Sequence, residues 1–411
     1  MRTFYTVMLA VLITNCSAPI EENEDLIENL MTQEGGLLEY FVQNKEQHKV
    51  QVVFSRIERD SLNNPEFHTF YFNHTPSEYF YPASTVKLPA SLLALEKINN
   101  LGIDGLTKET TLLIDSTFSG QSTAYTDSTS ENGLPSVEHY IKKMLLVSDN
   151  DAYNRLYEFI GQGPFNKSMN EKGYIGTRIS HRLSIFLSPE ENSTTNAMRF
   201  VEGDSIIYSQ DQVVNSTPLD FPEPTYLGKA HYSGGELISE PMDFKYKNEF
   251  PMQDQHDLLK SIFFPGTQSE SERFDLTASD YEFIRKYMGM WPSETTYPDY
   301  TDHSDYYVKF VMYGDGTNPI KEGVRVFNKV GQAYGFLIDN AYVVDFDEGI
   351  EFLVSAVIYV NANETLNDGF YEYDSLGFPF FSKLGQMFYS YEREHPHPIK
   401  PDLSSLEAVF H

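Results

Sequence analysis

Apolar residues along this chain follow helical spacing in some stretches and form strand-like runs in others. Residues 25–43 keep rough helical spacing, and the runs 50–57 and 67–72 are typical of two strands joined by a turn-rich segment. Residues 88–100 then continue as an apolar helical run. A helix, a hairpin and a second helix are therefore predicted in the first quarter of the chain.

Helical spacing dominates the middle of the chain. Residues 137–147 predict a helix whose start is marked by a proline and a serine, and residues 151–160 predict another that stops at a glycine-rich segment. The runs 257–264 and 278–288 predict two more helices. These segments would form a helical subdomain.

Three strand-like runs, 324–333, 335–345 and 350–361, fill much of the C-terminal third. The last is almost continuously apolar, which is typical of a central strand covered on both faces. A closing helix over about 373–392 would pack beside the N-terminal helix. Strands from both ends of the chain would then share one sheet. The prediction is a mixed α/β (α+β) fold with a helical middle.

A serine and a lysine three residues apart stand at the head of an apolar helical run. Residues with this spacing share a helix face, so the Lys87 ammonium can reach the Ser84 hydroxyl. Lys87 can take the Ser84 proton only if burial or a second cation lowers its pKa. At a helix N-terminus, free N–H groups would also favour negative charge beside Ser84. An ordinary helix start would produce the same spacing, so the pattern alone is weak.

Two later motifs strengthen the catalytic interpretation. Ser148-Asp149-Asn150 follows a predicted helix, and Lys329-Val330-Gly331 lies in a predicted strand. The order Ser-x-x-Lys, Ser-Asp-Asn, Lys-x-Gly resembles the class A β-lactamases and the penicillin-binding proteins. The resemblance covers about residues 30–392. It implies a β-lactamase/transpeptidase-like antiparallel sheet of about five strands flanked by helices, with an all-α subdomain.

The resemblance implies acyl transfer through three catalytic side chains. Ser84 would attack a carbonyl, and Lys87, directly or through Ser148, would remove and relay the proton. The backbone N–H groups of Ser84 and Gln332 would hold the oxyanion.

The resemblance also assigns substrate-binding groups. Asn150 would hydrogen-bond the substrate amide, and Lys329 would attract an anionic substrate and depress the pKa of Lys87. Asp149 would be a structural brace. Lys321 and Lys383 begin the same Lys-x-Gly pattern, but only Lys329 lies within the first of the three predicted strands.

The chain departs from the class A pattern in the segment that resembles the omega loop. Where those enzymes carry a deacylating glutamate, the comparable positions hold His181, Arg182 and Leu183. Glu190 or Glu191 would be substitute bases from later in the loop, and His181 would be one near neutral pH. The simpler interpretation is that these residues are ordinary loop surface.

Three functional interpretations remain open. The first is a serine hydrolase that forms an acyl-enzyme on a β-lactam or a related amide or ester. Within this interpretation, Val330 stands where the family usually has a hydroxyl residue. The missing hydroxyl removes about 0.5–1.5 kcal/mol of hydrogen bonding to a substrate carboxylate. A D-alanyl-D-alanine carboxypeptidase or esterase tolerates this loss better than a β-lactamase. The second is a non-catalytic surface binding lipoprotein on the same scaffold. The third is a lipid-anchored structural protein whose motifs are accidental.

Charge and composition narrow the classes of ligand. Asp and Glu total 60 against 30 Lys and Arg, a formal charge of −30. This acidic excess argues against binding nucleic acid and indicates a mutually repulsive surface. The expected partner is a small-molecule or peptidoglycan-like substrate. No His-Glu-x-x-His pattern or cysteine cluster occurs, so neither a metal site nor a cofactor is expected.

The N-terminus predicts export. Residues 1–15 combine a positive start with an apolar core too short to span a membrane as a mature helix. Cleavage before Cys16 would expose a cysteine for acylation, as in bacterial lipoproteins, with 16–30 as an acidic tether; cleavage after Ala18 is the alternative. The first alternative predicts a lipoprotein of the bacterial cell envelope, in the outer membrane, on its periplasmic or surface face.

The remaining boundaries place the hydrolase domain at 31–395 and a C-terminal tail at 396–411. Residues 199–255 and about 291–322 have no counterpart in the compact members of the family. We interpret both as insertions that reshape the mouth of the cleft, the first as a hairpin or lid. The Ser-, Thr- and Gly-rich loop 115–135 corresponds to a wall of that cleft.

Overall fold

The computed structural model describes residues 25–76, 78–116 and 121–410. The predicted export signal and Cys16 lie outside the described residues. The helices are α1 Leu26–Glu34, α2 Gly36–Gln43, α3 Lys87–Leu101, α4 Val137–Leu146, α5 Asn150–Ile160, α6 Gln162–Glu171, α7 Pro189–Asn192, α8 Met252–Phe263, α9 Ala278–Gly289, α10 Phe310–Tyr313, α11 Phe378–Glu394 and α12 Ser404–Glu407. The strands are β1 Gln51–Arg59, β2 Pro65–Phe72, β3 Thr111–Ile114, β4 Met198–Glu202, β5 Ser205–Gln210, β6 Tyr226–Leu227, β7 Ala230–Ser233, β8 Glu236–Ile238, β9 Met242–Asp243, β10 Val324–Ala333, β11 Phe336–Asp345, β12 Ile350–Tyr359 and β13 Thr365–Leu366.

A five-stranded antiparallel sheet forms the centre of the molecule, in the order β10-β11-β12-β1-β2. All of β11 and almost all of β12 are buried, which agrees with the continuous apolar runs of their sequences. Strands from both ends of the chain meet where β1 pairs with β12. The predicted mixed fold with about five antiparallel strands is therefore confirmed. Strand β10 lies at the edge, so one of its sides is free of strand partners.

One face of the sheet is covered by α1, α2 and α11. Here the rings of Phe54 and Phe388 stack with their centroids 4.0 Å apart. Burying a phenylalanine side chain stabilises a fold by about 1.5–3 kcal/mol relative to leaving it exposed. The closing helix thus packs beside the N-terminal helix, as its apolar spacing predicts.

The opposite face carries α8 and α9, beyond which α3–α6 form the helical subdomain. Helix α3 is buried over most of its length, because α4, α5, α6 and α9 contact it. A helix that is apolar on all sides is typical of such a central position. The subdomain and the sheet therefore meet along α3, at whose start Ser84 stands.

The two predicted insertions differ in structure. The first contains hairpins: β4 pairs with both β3 and β5, β6 pairs with β9, and β7 pairs with β8. Strand β7 also pairs in parallel with β13, which follows the last strand of the main sheet. The second insertion has only short helical turns, and its Trp291 ring packs against Tyr313 with centroids 5.7 Å apart.

Two terminal boundaries need correction. The tether does not extend to residue 30, because α1 begins at Leu26 and buries Ile27 and Met31 against the core. The C-terminal residues are not a free tail either, since Leu403 and Leu406 are buried in the hydrophobic core. In both cases apolar side chains spaced for one helix face find a place on the domain. No helix within the described residues is long and apolar enough to cross a membrane.

Candidate active site

Ser84 stands in a tight turn that opens the central helix. A single 3₁₀ turn, Ala83–Val86, leads directly into α3, and Lys87 is the first residue of that helix. Ala83 has a φ of +49°, a backbone conformation that costs a non-glycine residue free energy. Thr85 Oγ1 donates to the Pro82 carbonyl at 2.8 Å and holds the turn. The Ser84 side chain is left half-buried at the surface of a cleft.

Lys87 is buried among oxygen acceptors. Its Nζ lies 2.6 Å from Ser84 Oγ, 2.6 Å from Asn150 Oδ1 and 3.1 Å from Ser148 Oγ. Burial lowers the pKa of Lys87 well below its ordinary value, and the positive charge of Lys329 lowers it further. A lysine in this state can become a neutral amine, whose lone pair can accept the Ser84 proton. The structure thus brings the predicted nucleophile and base into hydrogen-bond contact.

The Ser-Asp-Asn segment forms the corner between α4 and α5. Ser148 has a φ of +60°, which directs its side chain and its carbonyl toward Lys87. Asp149 caps α5 by accepting a hydrogen bond from the Ala152 N–H at 2.7 Å. Asp149 therefore has the structural position expected of a brace, while Asn150 contacts both Lys87 and Ser184.

Lys329 reaches the site from the edge strand β10. Its Nζ donates to Ser148 Oγ at 2.9 Å and to the Val330 carbonyl at 3.1 Å, and the residue is only 1% exposed. Burial lowers the pKa of Lys329 to about 7, although the Asp339 carboxylate favours the charged form. The competing Lys-x-Gly lysines lie elsewhere, because Lys321 pairs with Asp345 and Lys383 is exposed on α11.

Gly331 allows β10 to approach the serine turn. A Cβ atom at this position would lie 2.6 Å from the Pro82 carbonyl oxygen and 3.1 Å from Thr85 Cγ2. Only a residue without a side chain can therefore sit here without displacing backbone. Gln332, the next residue, lines the same cleft as Ser84, as its expected oxyanion role requires.

The cleft in front of Ser84 has a volume of about 510 Å³. Its described lining contains hydroxyl, amide and aromatic side chains. Sequence reasoning missed the wall formed by Tyr334, Asn367, Tyr371 and Tyr373. The predicted strands 324–333 and 335–345 imply a break between them, but no sequence pattern shows that the segment after β12 folds back to the same cleft. Tyr125, exposed on the loop 115–135, is not part of this lining.

The segment that resembles the omega loop has no carboxylate at the cleft. Arg182 is buried and pairs with Glu158, with 2.8 Å between Nε and Oε1, and it also donates to the carbonyls of Glu191 and Thr194. Arg182, at one of the three positions compared with that of the family's base, therefore ties the two ends of the loop together. Glu191 caps the short helix α7 through Ser188.

His181 and Glu190 line a neighbouring cavity and not the cleft. Burial and the charge of Lys247 lower the pKa of His181 to about 4, so its imidazole is neutral near pH 7. Its Nδ1 lies 2.5 Å from the Arg182 carbonyl, and its ring stacks on Tyr81 with centroids 6.0 Å apart. None of the three substitute bases named from the sequence therefore lines the cleft at Ser84.

Comparison with known proteins is consistent with this geometry. Residues 39–216 match the model of a group described as the beta-lactamase enzyme family, a span that includes Ser84 and the Ser-Asp-Asn segment but is less than half of the chain. The solved structure of PBP-A has a TM-score of 0.51 and 14% identity, covering 89% of this chain and 96% of that chain. The chain has the β-lactamase-like fold. The fold predicted from the sequence is thereby confirmed.

Further solved structures resemble the chain at similarly low identity. A PBP-A mutant, described as an acyl-enzyme complex with penicillin G, has a TM-score of 0.50 at 13% identity and covers 89% of this chain and 97% of that one. A β-lactamase from Desulfarculus baarsii has a TM-score of 0.49 at 11% identity, covering 90% and 98%. No curated protein matches the chain by sequence. Within the described residues, no group of His, Cys, Asp and Glu side chains is arranged to hold a metal ion.

Proposed function

We propose that this protein is a serine hydrolase that forms an acyl-enzyme on Ser84 with an amide or ester substrate. The observation that carries the proposal is the 2.6 Å contact between Ser84 Oγ and the Nζ of a buried lysine whose pKa is lowered. A buried lysine of this kind is the activating group that a serine nucleophile needs. The β-lactamase-like fold supports the same chemistry.

The mechanism follows from the contacts of Lys87. Neutral Lys87 accepts the Ser84 proton as Oγ bonds to the carbonyl carbon, and the N–H groups of Ser84 and Gln332 stabilise the oxyanion. The proton then passes through Ser148, which contacts Lys87, to the departing amine or alcohol as the acyl bond breaks. Water releases the acid and restores Ser84. Asn150 holds Lys87 in place and offers its amide to the substrate.

Deacylation is expected to be slow. No carboxylate or imidazole is among the described residues that line the cleft, so the attacking water lacks a dedicated base there. Lys87 and Ser148 are the groups left to activate it. This favours an esterase type of site over a fast β-lactamase.

The test is intact mass over time on the protein without its export signal. A neutral fluorophosphonate probe and a penicillin are each added to the unchanged protein, to Ser84→Ala and to Ser279→Ala, which removes an exposed serine on α9. We expect fluorophosphonate labelling that is lost only in Ser84→Ala. A penicillin adduct that persists for hours would indicate blocked hydrolysis, and one that vanishes within minutes would indicate a working β-lactamase.

Labelling that survives in Ser84→Ala, or that is absent from the unchanged protein, would contradict the proposal. In that case the non-catalytic binding protein on the same scaffold becomes the better description. Its function would be independent of Ser84.

A further inference from the structure

We infer that the cleft at Ser84 selects uncharged esters that carry an aromatic group next to the scissile bond, and that it discriminates against esters bearing a carboxylate. This inference rests on the proposed function, because it concerns the substrate of the same serine. The family resemblance predicted the opposite preference, for an anionic substrate attracted by Lys329.

The cation expected to attract an anion is withdrawn from the cleft. Lys329 is 1% exposed, and its Nζ is directed to Ser148 Oγ and to the Val330 carbonyl. It is not among the residues that line the cleft. Val330, at the position where the family usually has a hydroxyl, is itself buried in the hydrophobic cluster under α11. Neither of the two groups that would hold a carboxylate is therefore accessible.

Charged side chains are absent from the described lining of the cleft, which contains Ser84, Asn150, Ser184, Gln332 and Asn367 as its polar members apart from tyrosines. These groups can hydrogen-bond a neutral carbonyl or hydroxyl. A carboxylate that enters such a site loses hydration without direct contact with an opposite charge, which is more costly than burying a neutral polar group. The lining therefore favours an uncharged ligand.

One lysine does approach the cleft wall from outside. Lys247 Nζ lies 3.5 Å from the Tyr334 hydroxyl, but Lys247 lines the neighbouring cavity with His181. Lys247 therefore provides a control. If its charge acts on a substrate in the cleft, replacing Lys247 will alter the preference between neutral and anionic substrates.

Tyrosines supply the apolar part of the cleft. Tyr81 and Tyr334 pack edge to face with centroids 5.0 Å apart, and Tyr371 and Tyr373 lie 5.1 Å apart. The hydroxyls of Tyr371 and Tyr373 accept hydrogen bonds from the N–H groups of Asn367 and Gly335, both at 2.8 Å, which fixes these rings. Fixed aromatic rings bind flat aromatic groups at little entropic cost.

The reaction balances as ordinary ester hydrolysis. Ser84 Oγ bonds to the acyl carbon and the bond to the aromatic alcohol breaks, with the serine proton carried to that alcohol through Lys87 and Ser148. Water then cleaves the acyl-serine bond and yields the acid and free Ser84. No co-reactant besides water is needed.

The first experiment compares methyl 4-acetoxybenzoate with 4-acetoxybenzoate, which differ by one negative charge. Each kcat/KM is divided by the hydroxide-catalysed rate of the same ester, and the Ser84→Ala rate is subtracted. We expect the neutral ester to be favoured by about tenfold or more, because the charged one is left unpaired. Equal normalised values, or a preference for the carboxylate, would overturn the inference.

Four variants sharpen the comparison. Ala333→Arg, which adds a cation to the lining, should narrow the ratio while the melting temperature stays near that of the unchanged protein. Tyr371→Ala should raise KM for the neutral aryl ester severalfold, whereas Tyr125→Ala, an exposed tyrosine outside the lining, should not. Lys247→Ala should leave the ratio unchanged. A folded Ala333→Arg protein with an unchanged ratio, or a ratio that depends on Lys247, would contradict the inference.

Fluorophosphonate labelling on the same preparations separates the two proposals. Labelling at Ser84 without turnover of either ester above the Ser84→Ala rate would overturn the substrate class and leave the proposed function standing. Absence of labelling would overturn both.

Discussion

At the scale of single residues, the site depends on two buried lysines that share one serine. Lys87 and Lys329 both donate to Ser148 Oγ, at 3.1 and 2.9 Å. Each is buried, and the charge of Lys329 adds to the desolvation that lowers the pKa of Lys87. Lys329 therefore acts on the nucleophile through Lys87, as a positioning residue, and its charge need not touch the substrate.

Lys329→Met should shift the acidic limb of the pH profile of the labelling rate to higher pH. Labelling requires neutral Lys87, so the rate falls as pH drops through the Lys87 pKa; removing a positive neighbour raises that pKa. The check is the fluorophosphonate labelling rate between pH 5 and 10. Lys97→Met is the control, because Lys97 lies on the same helix but bonds to Phe159 and Gln210. An unmoved limb in Lys329→Met would show that the Lys329 charge does not lower the Lys87 pKa.

Gly331→Ala should reduce labelling by about tenfold to a hundredfold, since displacing reacting groups by about 1 Å has effects of that size. The added Cβ would lie 2.6 Å from the Pro82 carbonyl, so strand and serine turn must separate. Gly266→Ala is the matched control, because its Cβ would meet nothing within 4 Å. The measurements are the labelling rates and melting temperatures of both variants. Equal labelling rates would mean that the close approach of β10 to the serine turn is not needed.

At the scale of elements, the loop over residues 181–193 contains an internal brace, the buried ion pair between Arg182 and Glu158. Arg182 pairs with Glu158 on α5 and bonds the carbonyls of Glu191 and Thr194, while Asn196 Nδ2 donates to the other Glu158 oxygen at 2.7 Å. The pair is almost fully buried. This buried ion pair therefore holds the loop. The same loop carries Ser184, whose hydroxyl accepts a hydrogen bond from Asn150 Nδ2.

Arg182→Met should destabilise the protein by about 3–5 kcal/mol, because it leaves the Glu158 carboxylate buried without its partner. Adding Glu158→Gln should recover much of this loss. The measurement is the free energy of unfolding in urea. Lys167→Met is the control: its pair with Glu171 is exposed, and its loss should cost about 0.5 kcal/mol or less. A similar small loss in Arg182→Met would show that the loop does not depend on the brace.

At the scale of the whole molecule, both ends of the described chain belong to one body. Helices α1 and α2 pack beside α11 on the sheet, and Leu406 near the C-terminus is buried against the other core. The first insertion reaches across to pair β7 with β13, beside the segment that walls the cleft. The cleft is thus shaped by segments from the middle and from the end of the chain.

We propose that the protein is exported and anchored through an acyl group on Cys16, the only cysteine in the chain. Expressed with its first 15 residues in a bacterium that makes lipoproteins, it should label with palmitate and sediment with membranes, because two or more acyl chains anchor a protein stably. Cys16→Ser should abolish both, with Ser17→Ala as the control. Membrane association that survives in Cys16→Ser would contradict the anchor.

The sequence predicted the elements that carry the site and missed the groups that surround it. Spacing predicts the contact of Ser84 with Lys87, and the family resemblance implies Ser148, Asn150 and Lys329; all five meet in the structure. These five residues lie close together largely because of local chain geometry and because β10 is an edge strand. The tyrosine wall was missed because it depends on where a loop after β12 returns, and no periodicity encodes such a path.

Short-range pattern therefore determined the helices and the strands, because apolar spacing and turn residues act through neighbours in sequence. The order of three motifs, through the family they resemble, determined the choice of nucleophile. Only the tertiary structure decided the electrostatics of the site. Lys329 contacts Ser148 instead of facing a substrate, and Arg182 pairs with Glu158 instead of pointing to the cleft. Both arrangements depend on residues far apart in the chain. Burial and the partner of a charge are properties of the packed molecule, and these two properties set what the site can bind.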